Sequence, residues 1–287
     1  MALVINTNVA SINAQRNLGR TEGALNSSLA RLSSGMRITA AKDDAAGLAI
    51  SEKMRAQIRG LAQAERNAND GISMVQTAEG ALNEVSGALI RMRELSVQAS
   101  TGTLGTEERG YLDNEFQDLM SEIDRIASVT EFNGTKLLDG SASTGISFQV
   151  GLNDVAQDRI TASVAGSLGG TYASQLGQAS ATATALGSQA IDTVTSAQNS
   201  LSVIDQAIQD VSGVRGDLGA VQNRLSITVN NLATQRENLS AANSRIRDVD
   251  VAYETVAMTR SQILMQAGVS VLAQANQLPG MALSLIG

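Results

Sequence analysis

The chain has 287 residues, of which 43% are hydrophobic but only 2% aromatic, and its formal net charge is −7. This length supports one large or two modest domains, and the scarcity of aromatic residues argues against a deep ligand pocket. Without basic runs the chain lacks the positive face that a nucleic-acid partner requires. Because Cys and His are absent, disulfides, zinc–thiolate sites and imidazole-dependent catalysis are excluded. We therefore expect no catalytic residues, no metal site and no cofactor.

Neither a membrane span nor a secretory signal is expected. The apolar start stops at Ile5 and lacks a basic region before it. No segment reaches the roughly 18 apolar residues of a membrane helix. The most apolar stretch, 263–278, is interrupted by Gln266 and Gln274.

A first helix is predicted close to the N-terminus, where Leu18, Leu25 and Leu32 recur at intervals of seven. Ser33-Ser34-Gly35 interrupts this pattern. The adjacent carboxylates of Asp43 and Asp44 come next, but metal or glycosidase chemistry needs further carboxylates that converge from elsewhere. Capping of the following helix is the favoured interpretation.

Two long heptad seams then predict coiled-coil packing. Every seventh residue is apolar in the first seam, which comprises Met54, Leu61, Ala68, Val75, Leu82 and Leu89. The second seam covers roughly 50 residues, or about 75 Å if helical throughout, and comprises Ile204, Val211, Leu218, Leu225, Leu232, Leu239, Ile246 and Tyr253. Gly213, Gly216 and Gly219 lie within it and predict a bend or break, since each costs about 1 kcal/mol relative to Ala.

Shorter elements lie between and after the seams. A helix is predicted to open at Thr106, with acidic residues in its first turn. Alternation predicts one strand through Ile146, Phe148 and Val150, and another through Ile160, Ala162 and Val164. The last helix is expected to stop at Pro279, the only proline.

Neither seam can bury its apolar face without a partner helix, so helices from the two chain ends must pack together. The predicted fold is mainly α, with long antiparallel coiled-coil-like helices from both chain ends, a small β-hairpin insert and a discontinuous two-domain subunit. Residues 1–5 and 281–286 are apolar at positions that usually fray in water. Such surface indicates an interface, and the lack of a sizeable globular core beside the ends favours burial against another molecule over folding back.

Several sequence blocks resemble bacterial flagellins. The N-terminal block contains RLSSGMRITAAKDDAAGLAISEKMRAQIRG, followed by MRELSVQAS, and the C-terminal block contains SRIRDVDVAYETVAMTRSQILMQAGVSVLAQANQ. The blocks occur in the order of the family and cover most of the chain. The resemblance implies a structural subunit of the extracellular filament used for motility, in a short form without large outer domains.

The resemblance also implies how the chain is divided. Residues 1–40 and 248–287 would form the inner filament core, residues 41–163 and 189–247 an outer helical domain with the hairpin, and residues 164–188 a short connector. The expected self-association residues belong to the inner part: Leu3, Val4, Ile5, Ile12, Leu18, Leu25, Ile263, Leu264, Val271, Leu272, Leu278, Leu283, Leu285 and Ile286.

The partners implied by the resemblance are further copies of the chain, the type III flagellar export apparatus, a flagellin chaperone, and hook-associated and cap proteins. A Toll-like innate immune receptor would contact Arg91, Leu95 and Glu115. From the residues alone, the charges around Arg91 favour a solvated face with local ion pairs. Two alternatives stay open: a hook–filament junction protein, and a secreted monomeric coiled-coil binding protein.

Overall fold

The computed structural model describes residues 7–139, 145–162 and 186–284. Over this range the chain is mainly α, as the sequence predicts. The helices are α1 (Val9–Ser34), α2 (Ala45–Ala99), α3 (Thr106–Val129), α4 (Val194–Arg247) and α5 (Val251–Ser284). The strands are β1 (Glu131–Phe132), β2 (Thr135–Lys136), β3 (Ile146–Gln149) and β4 (Arg159–Ala162).

The chain divides into two compact units. The terminal unit comprises Met1–Ile58 and Glu237–Gly287, and the central unit comprises Arg59–Arg236. This division confirms that both chain ends belong to one discontinuous unit. The boundaries inferred at residues 40 and 248 concern layers of a filament and stay a prediction.

In the terminal unit, α1 and α5 pack against each other as an antiparallel pair. At one end the Asn8 side chain donates a 2.7 Å hydrogen bond to the carbonyl of Ala275, and at the other Arg31 lies 3.7 Å from Glu254. Gly35 ends α1 in the left-handed conformation, with φ at 69°, as the break in the heptads indicates. The predicted pairing of the end helices is therefore confirmed.

A short backbone link closes the terminal unit beyond Gly35. Its carbonyl accepts a hydrogen bond from Val249 at 3.1 Å, and the Arg37 amide donates to the carbonyl of Arg247 at 2.7 Å. Asp44 accepts a 2.8 Å hydrogen bond from the amide of Gly47 in the first turn of α2, which confirms its capping role.

The central unit has a larger apolar cluster between α2, α3 and α4, and a smaller one in which Ala68 of α2 and Leu225 of α4 meet Val150 and Ile160. Ion pairs between Arg93 and Asp205 at 2.6 Å, and between Arg236 and Glu65 at 3.4 Å, show that α2 and α4 run antiparallel. The predicted seams face the interior of this unit. Their buried members are Leu61, Ala68, Val75, Leu82 and Leu89 on α2, and Ile204, Val211, Leu218, Leu225 and Leu232 on α4.

Two details of the predicted helices differ in the structure. α4 continues without a break through Gly213, Gly216 and Gly219, because burial of the flanking seam residues outweighs the small cost of each glycine. The second seam ends with α4 at Arg247, so Tyr253 belongs to α5 and is exposed.

Two end signals also differ from expectation. α5 runs through Pro279 to Ser284, since a proline removes one backbone hydrogen bond and can kink a helix without ending it. α3 begins at Thr106 as predicted, but Gly105 occupies the capping position and no side chain caps it.

Two antiparallel ribbons complete the central unit. β3 pairs with β4 from Ile146 opposite Ala162 to Gln149 opposite Arg159, which confirms the predicted hairpin. Val150 follows β3, and Val164 lies outside the described residues. β1 and β2 form a second ribbon that the seam analysis missed, although Asn133-Gly134 is a strong hairpin signal. Of the predicted connector, the described part is the buried Leu186 and the turn after it.

Candidate self-association surface

One side of α5 holds the helix against α1 within the subunit. A Cβ atom added to Gly268 would lie 3.3 Å from the Leu18 side chain, so the two helices approach closely there. Ala275 and Glu254, near opposite ends of α5, are both buried. This side of α5 is covered by α1 of the same subunit.

A different side of α5 is apolar and exposed. Val256 is 70% exposed and Ile263 is 61% exposed, and at least half of Leu264 and Val271 is also accessible. Their spacing of seven, eight and fifteen residues places them on one helical face. We call these four residues the outer stripe. A shallow concavity of about 390 Å³ opens at its N-terminal part, between Val256 and Leu264.

The charge distribution along α5 reinforces this picture. Glu254 and Arg260 are its only charged residues, and from position 261 to 284 there is none. A helix that is apolar on more than one side is normally buried. On α1, Val9, Ile12 and Leu29 add further exposed apolar surface. The terminal unit therefore presents more apolar surface than an isolated soluble helix pair would be expected to carry.

The residues predicted to self-associate fall into three groups. Ile12, Ile263, Leu264 and Val271 are exposed, whereas Leu25 is buried and Leu18 and Leu272 are half-buried within the subunit. Burial within the subunit makes this second group part of the α1–α5 contact. The exposure of the third group is not described. Leu278 and Leu283 are described only as part of the backbone of α5, and the remaining members, Leu3, Val4, Ile5, Leu285 and Ile286, lie outside the described residues.

The residues predicted to contact a receptor lie in the central unit. Arg91 on α2 and Glu115 on α3 form a 2.8 Å ion pair, and Arg91 also lies 3.0 Å from Glu94. The hydrogen bond that Arg91 donates to Glu115, followed by the one that it donates to Glu94, raises the pKa of Arg91. Both members of the pair are about half exposed, but Leu95 is fully buried in the core. The accessible feature is thus the ion pair, with exposed Ile90 beside it.

Within the described parts of the chain, no group of three or more His, Cys, Asp or Glu residues could hold a metal ion. None of the helices in those parts has the length and apolar character to cross a bilayer.

Two family models match the chain, one in its N-terminal half and one in its C-terminal part. Residues 5–143 match the family model of the bacterial flagellin N-terminal helical region, and residues 201–286 match that of the C-terminal helical region. Flagellin from Halalkalibacterium halodurans is 48% identical to the chain, over 99% of this chain and all of its own length. The chain belongs to the bacterial flagellin family. Flagellin from Bacillus subtilis is 45% identical, over 98% of this chain and 99% of its own length.

Family membership establishes the class of function. Flagellins are structural filament proteins and not enzymes, so the chain is a subunit that polymerises into the extracellular helical filament used for motility. A solved structure from Vibrio parahaemolyticus, described as a flagellar hook-associated protein, has a TM-score of 0.58. It covers 72% of this chain and all of its own chain at 14% identity, so the likeness concerns the fold alone. The hook–filament junction alternative gains no support from it.

Proposed function

We propose that the outer stripe, together with exposed apolar residues of α1, forms the contact through which copies of the chain polymerise. The observation that carries this proposal is the exposure of Val256, Ile263, Leu264 and Val271 on a helix with no charge after Arg260. In this proposal the terminal unit builds the core of the filament. Residues 1–5 and 281–286 would extend the same apolar contact.

The physical driving force is removal of apolar surface from water, worth roughly 25 cal/mol per Å². A stripe on one copy that contacts a different surface on the next copy makes a head-to-tail interface. Such interfaces produce an open helical filament when the rotation does not close. Residues Leu18, Leu25 and Leu272 contribute indirectly, because they hold α1 and α5 together so that the stripe is presented as one surface.

A pair of charge substitutions on α5 tests the proposal. Ile263→Glu places a carboxylate within the stripe, and we expect it to abolish polymerisation seeded with filament fragments. Gln266→Glu adds the same charge at an exposed polar position three residues away and is expected to preserve polymerisation. Sedimentation measures assembly, and circular dichroism checks that both monomers keep their helices. Normal filaments from Ile263→Glu would overturn the proposal.

The outer stripe also suggests which proteins bind the subunit before it polymerises. Exposed apolar helices aggregate in the cytosol unless they are covered. We therefore assign α5 as the segment held by a flagellin chaperone until the chain passes the type III export apparatus. Hook-associated and cap proteins would contact the same stripe at the ends of the filament. Ile263→Glu should weaken capture by the chaperone, whereas Ile227→Glu, at an equally exposed apolar position on α4, should not.

The Arg91–Glu115 pair favours a second interaction, with a Toll-like innate immune receptor. The pair joins two helices at an accessible position. Leu95 would act indirectly, because its buried side chain packs α2 against the core. Reversal of one charge by Arg91→Glu should reduce receptor activation in a reporter-cell assay. Arg125→Glu disrupts an exposed pair with Glu122 on α3 and provides the matched control. Equal activation by both variants would contradict this assignment.

A further inference from the structure

The turn between β1 and β2 has an unusual combination of sequence and conformation. Asn133 is the only non-glycine residue with positive φ among the described residues, at 50°, and Gly134 follows with φ at 76°. Phe132 pairs directly with Thr135, so Asn133 and Gly134 form the whole turn. Both positive φ values are those that a tight hairpin turn requires. Asn133 and Gly134 are also exposed.

We infer that Asn133 is a site of spontaneous deamidation, which gives the extracellular subunit a covalent mark of age. The amide nitrogen of Gly134 attacks Cγ of Asn133, and ammonia leaves with the Gly134 amide proton. The product is a five-membered succinimide. Water then opens either carbonyl of the ring, which leaves an aspartyl or an isoaspartyl residue. No oxidant, metal or enzyme is needed, because water is the only co-reactant.

The absence of a side chain at Gly134 makes the attack sterically open. A Cβ built at this position would meet no atom within 4 Å beyond the neighbouring residues, so the space beside Gly134 is open. The turn conformation itself must relax before nitrogen can reach Cγ. That relaxation is inexpensive, because each strand contributes only two residues and a two-stranded ribbon is marginal by itself.

The base of the ribbon is fixed more firmly than its tip. The amide of Leu137 donates a 3.1 Å hydrogen bond to the carbonyl of Thr130, and the side chains of Leu137 and Leu138 are buried in the core. The tip can therefore open while the central unit stays folded. Local opening of this kind exposes Asn133 without global unfolding.

A second succinimide-forming sequence provides an internal comparison. Asp70-Gly71 lies inside α2, and Gly71 is buried against Phe148. Helical hydrogen bonds and packing hold this backbone in place, so cyclisation there would require the helix to unfold. Asn133 should therefore change while Asp70 does not.

Deamidation would alter both charge and geometry at the turn. Either product places a new carboxylate near the 2.6 Å ion pair between Glu131 and Lys136. The isoaspartyl product also inserts a methylene into the backbone, which a two-residue turn cannot accommodate in the register of Phe132 opposite Thr135. The modified ribbon is expected to lose its pairing.

Incubation of purified, folded subunit at mildly alkaline pH in heavy-oxygen water tests this inference. Peptide mass spectrometry should show label incorporation at Asn133 and a mixture of aspartyl and isoaspartyl products, with Asp70 unlabelled. In denaturant both sequences should become labelled, Asp70 more slowly because its ionised carboxylate must take up a proton before it can leave as water. An intact amide at Asn133 in the folded subunit, when the denatured chain reacts, would overturn the inference, as would equal labelling of Asp70 in the folded subunit.

Two variants test the mechanism. Gly134→Asn keeps a residue that tolerates positive φ but adds a side chain beside the attacking nitrogen, so labelling at position 133 should slow several-fold. Leu137→Ala loosens the base of the ribbon and should speed labelling several-fold. Circular dichroism verifies that each variant is folded, and labelling rates unchanged in both would exclude local opening as the route.

Discussion

Glu254 on α5 is only 5% exposed, and its carboxylate lies 3.7 Å from its ionic partner, Arg31 on α1. The Arg31 Nε atom is itself buried without a hydrogen-bond partner. The Glu254 carboxylate is therefore a buried charge within the otherwise apolar contact between α1 and α5. Its physical role is to oppose sliding of α1 along α5, since a shifted register would leave the carboxylate buried without its partner.

Removal of the cation should therefore cost more than removal of the anion. Arg31→Met leaves Glu254 buried without an ionic partner and should lower the free energy of unfolding of the terminal unit by about 1–3 kcal/mol. Glu254→Gln removes the charge and leaves Arg31 able to reach water, so its effect should be smaller. Urea denaturation of monomeric subunit measures the difference, and equal losses would contradict this account.

Two aromatic residues on α3 provide a matched comparison of burial. Phe116 is fully buried in the central core, whereas Tyr111 is 73% exposed. Phe116→Ala should cost about 3–5 kcal/mol through lost burial and a residual cavity, and Tyr111→Ala should stay within about 0.5 kcal/mol of the parent. Guanidinium denaturation provides both values. Similar losses would mean that Tyr111 has a stabilising contact beyond those described.

A glycine within α1 and the glycine that follows its last residue should respond to alanine in opposite directions. Gly35 adopts a positive φ at the end of the helix, so Gly35→Ala should destabilise the terminal unit by about 1–2 kcal/mol. Gly23 lies in the helix with open space around its Cα, and Gly23→Ala should stabilise by about 0.4–1 kcal/mol. Thermal melts of the monomer test the sign. A destabilising Gly23→Ala would contradict the open space around this residue.

Acid should weaken the contact between Glu52 and Arg247. The hydrogen bond from Arg247, followed by that from Arg55, lowers the pKa of Glu52. Because the folded-state pKa lies below that of the unfolded chain, the stabilisation is complete above the usual glutamate value of about 4 and is lost as the pH falls through the lowered folded value. The protection factor of the Arg37 amide, which corrects for the pH dependence of intrinsic exchange, should fall over this acid range and stay constant near neutrality.

Glu52→Gln isolates this contribution. The variant should exchange faster than the parent at neutral pH, and the difference should shrink in acid as the parent carboxylate becomes protonated. Glu84→Gln changes an exposed glutamate elsewhere on α2 and serves as the control for a simple change of surface charge. A parent and a Glu52→Gln variant with the same pH profile would contradict the proposed linkage.

The sequence by itself determined the helical class, the two seams and the pairing of the chain ends. These depend on repeated local spacing, which specifies which face of a helix is apolar regardless of the partner it meets. Leu82 and Leu218 are buried because each heptad places them on that face. The family also followed from the sequence, because its motifs at both ends occur in order.

Tertiary structure decided the points where local signals compete with packing. The glycines of α4 do not break the helix, because burial of residues such as Val211 and Leu218 compensates for their weak helix propensity. Heptad spacing also could not distinguish apolar residues that hold α1 on α5, such as Leu25, from those left exposed for another copy, such as Ile263. Both are apolar at helical intervals, and only the position of the neighbouring helix determines which side of α5 is covered within the subunit.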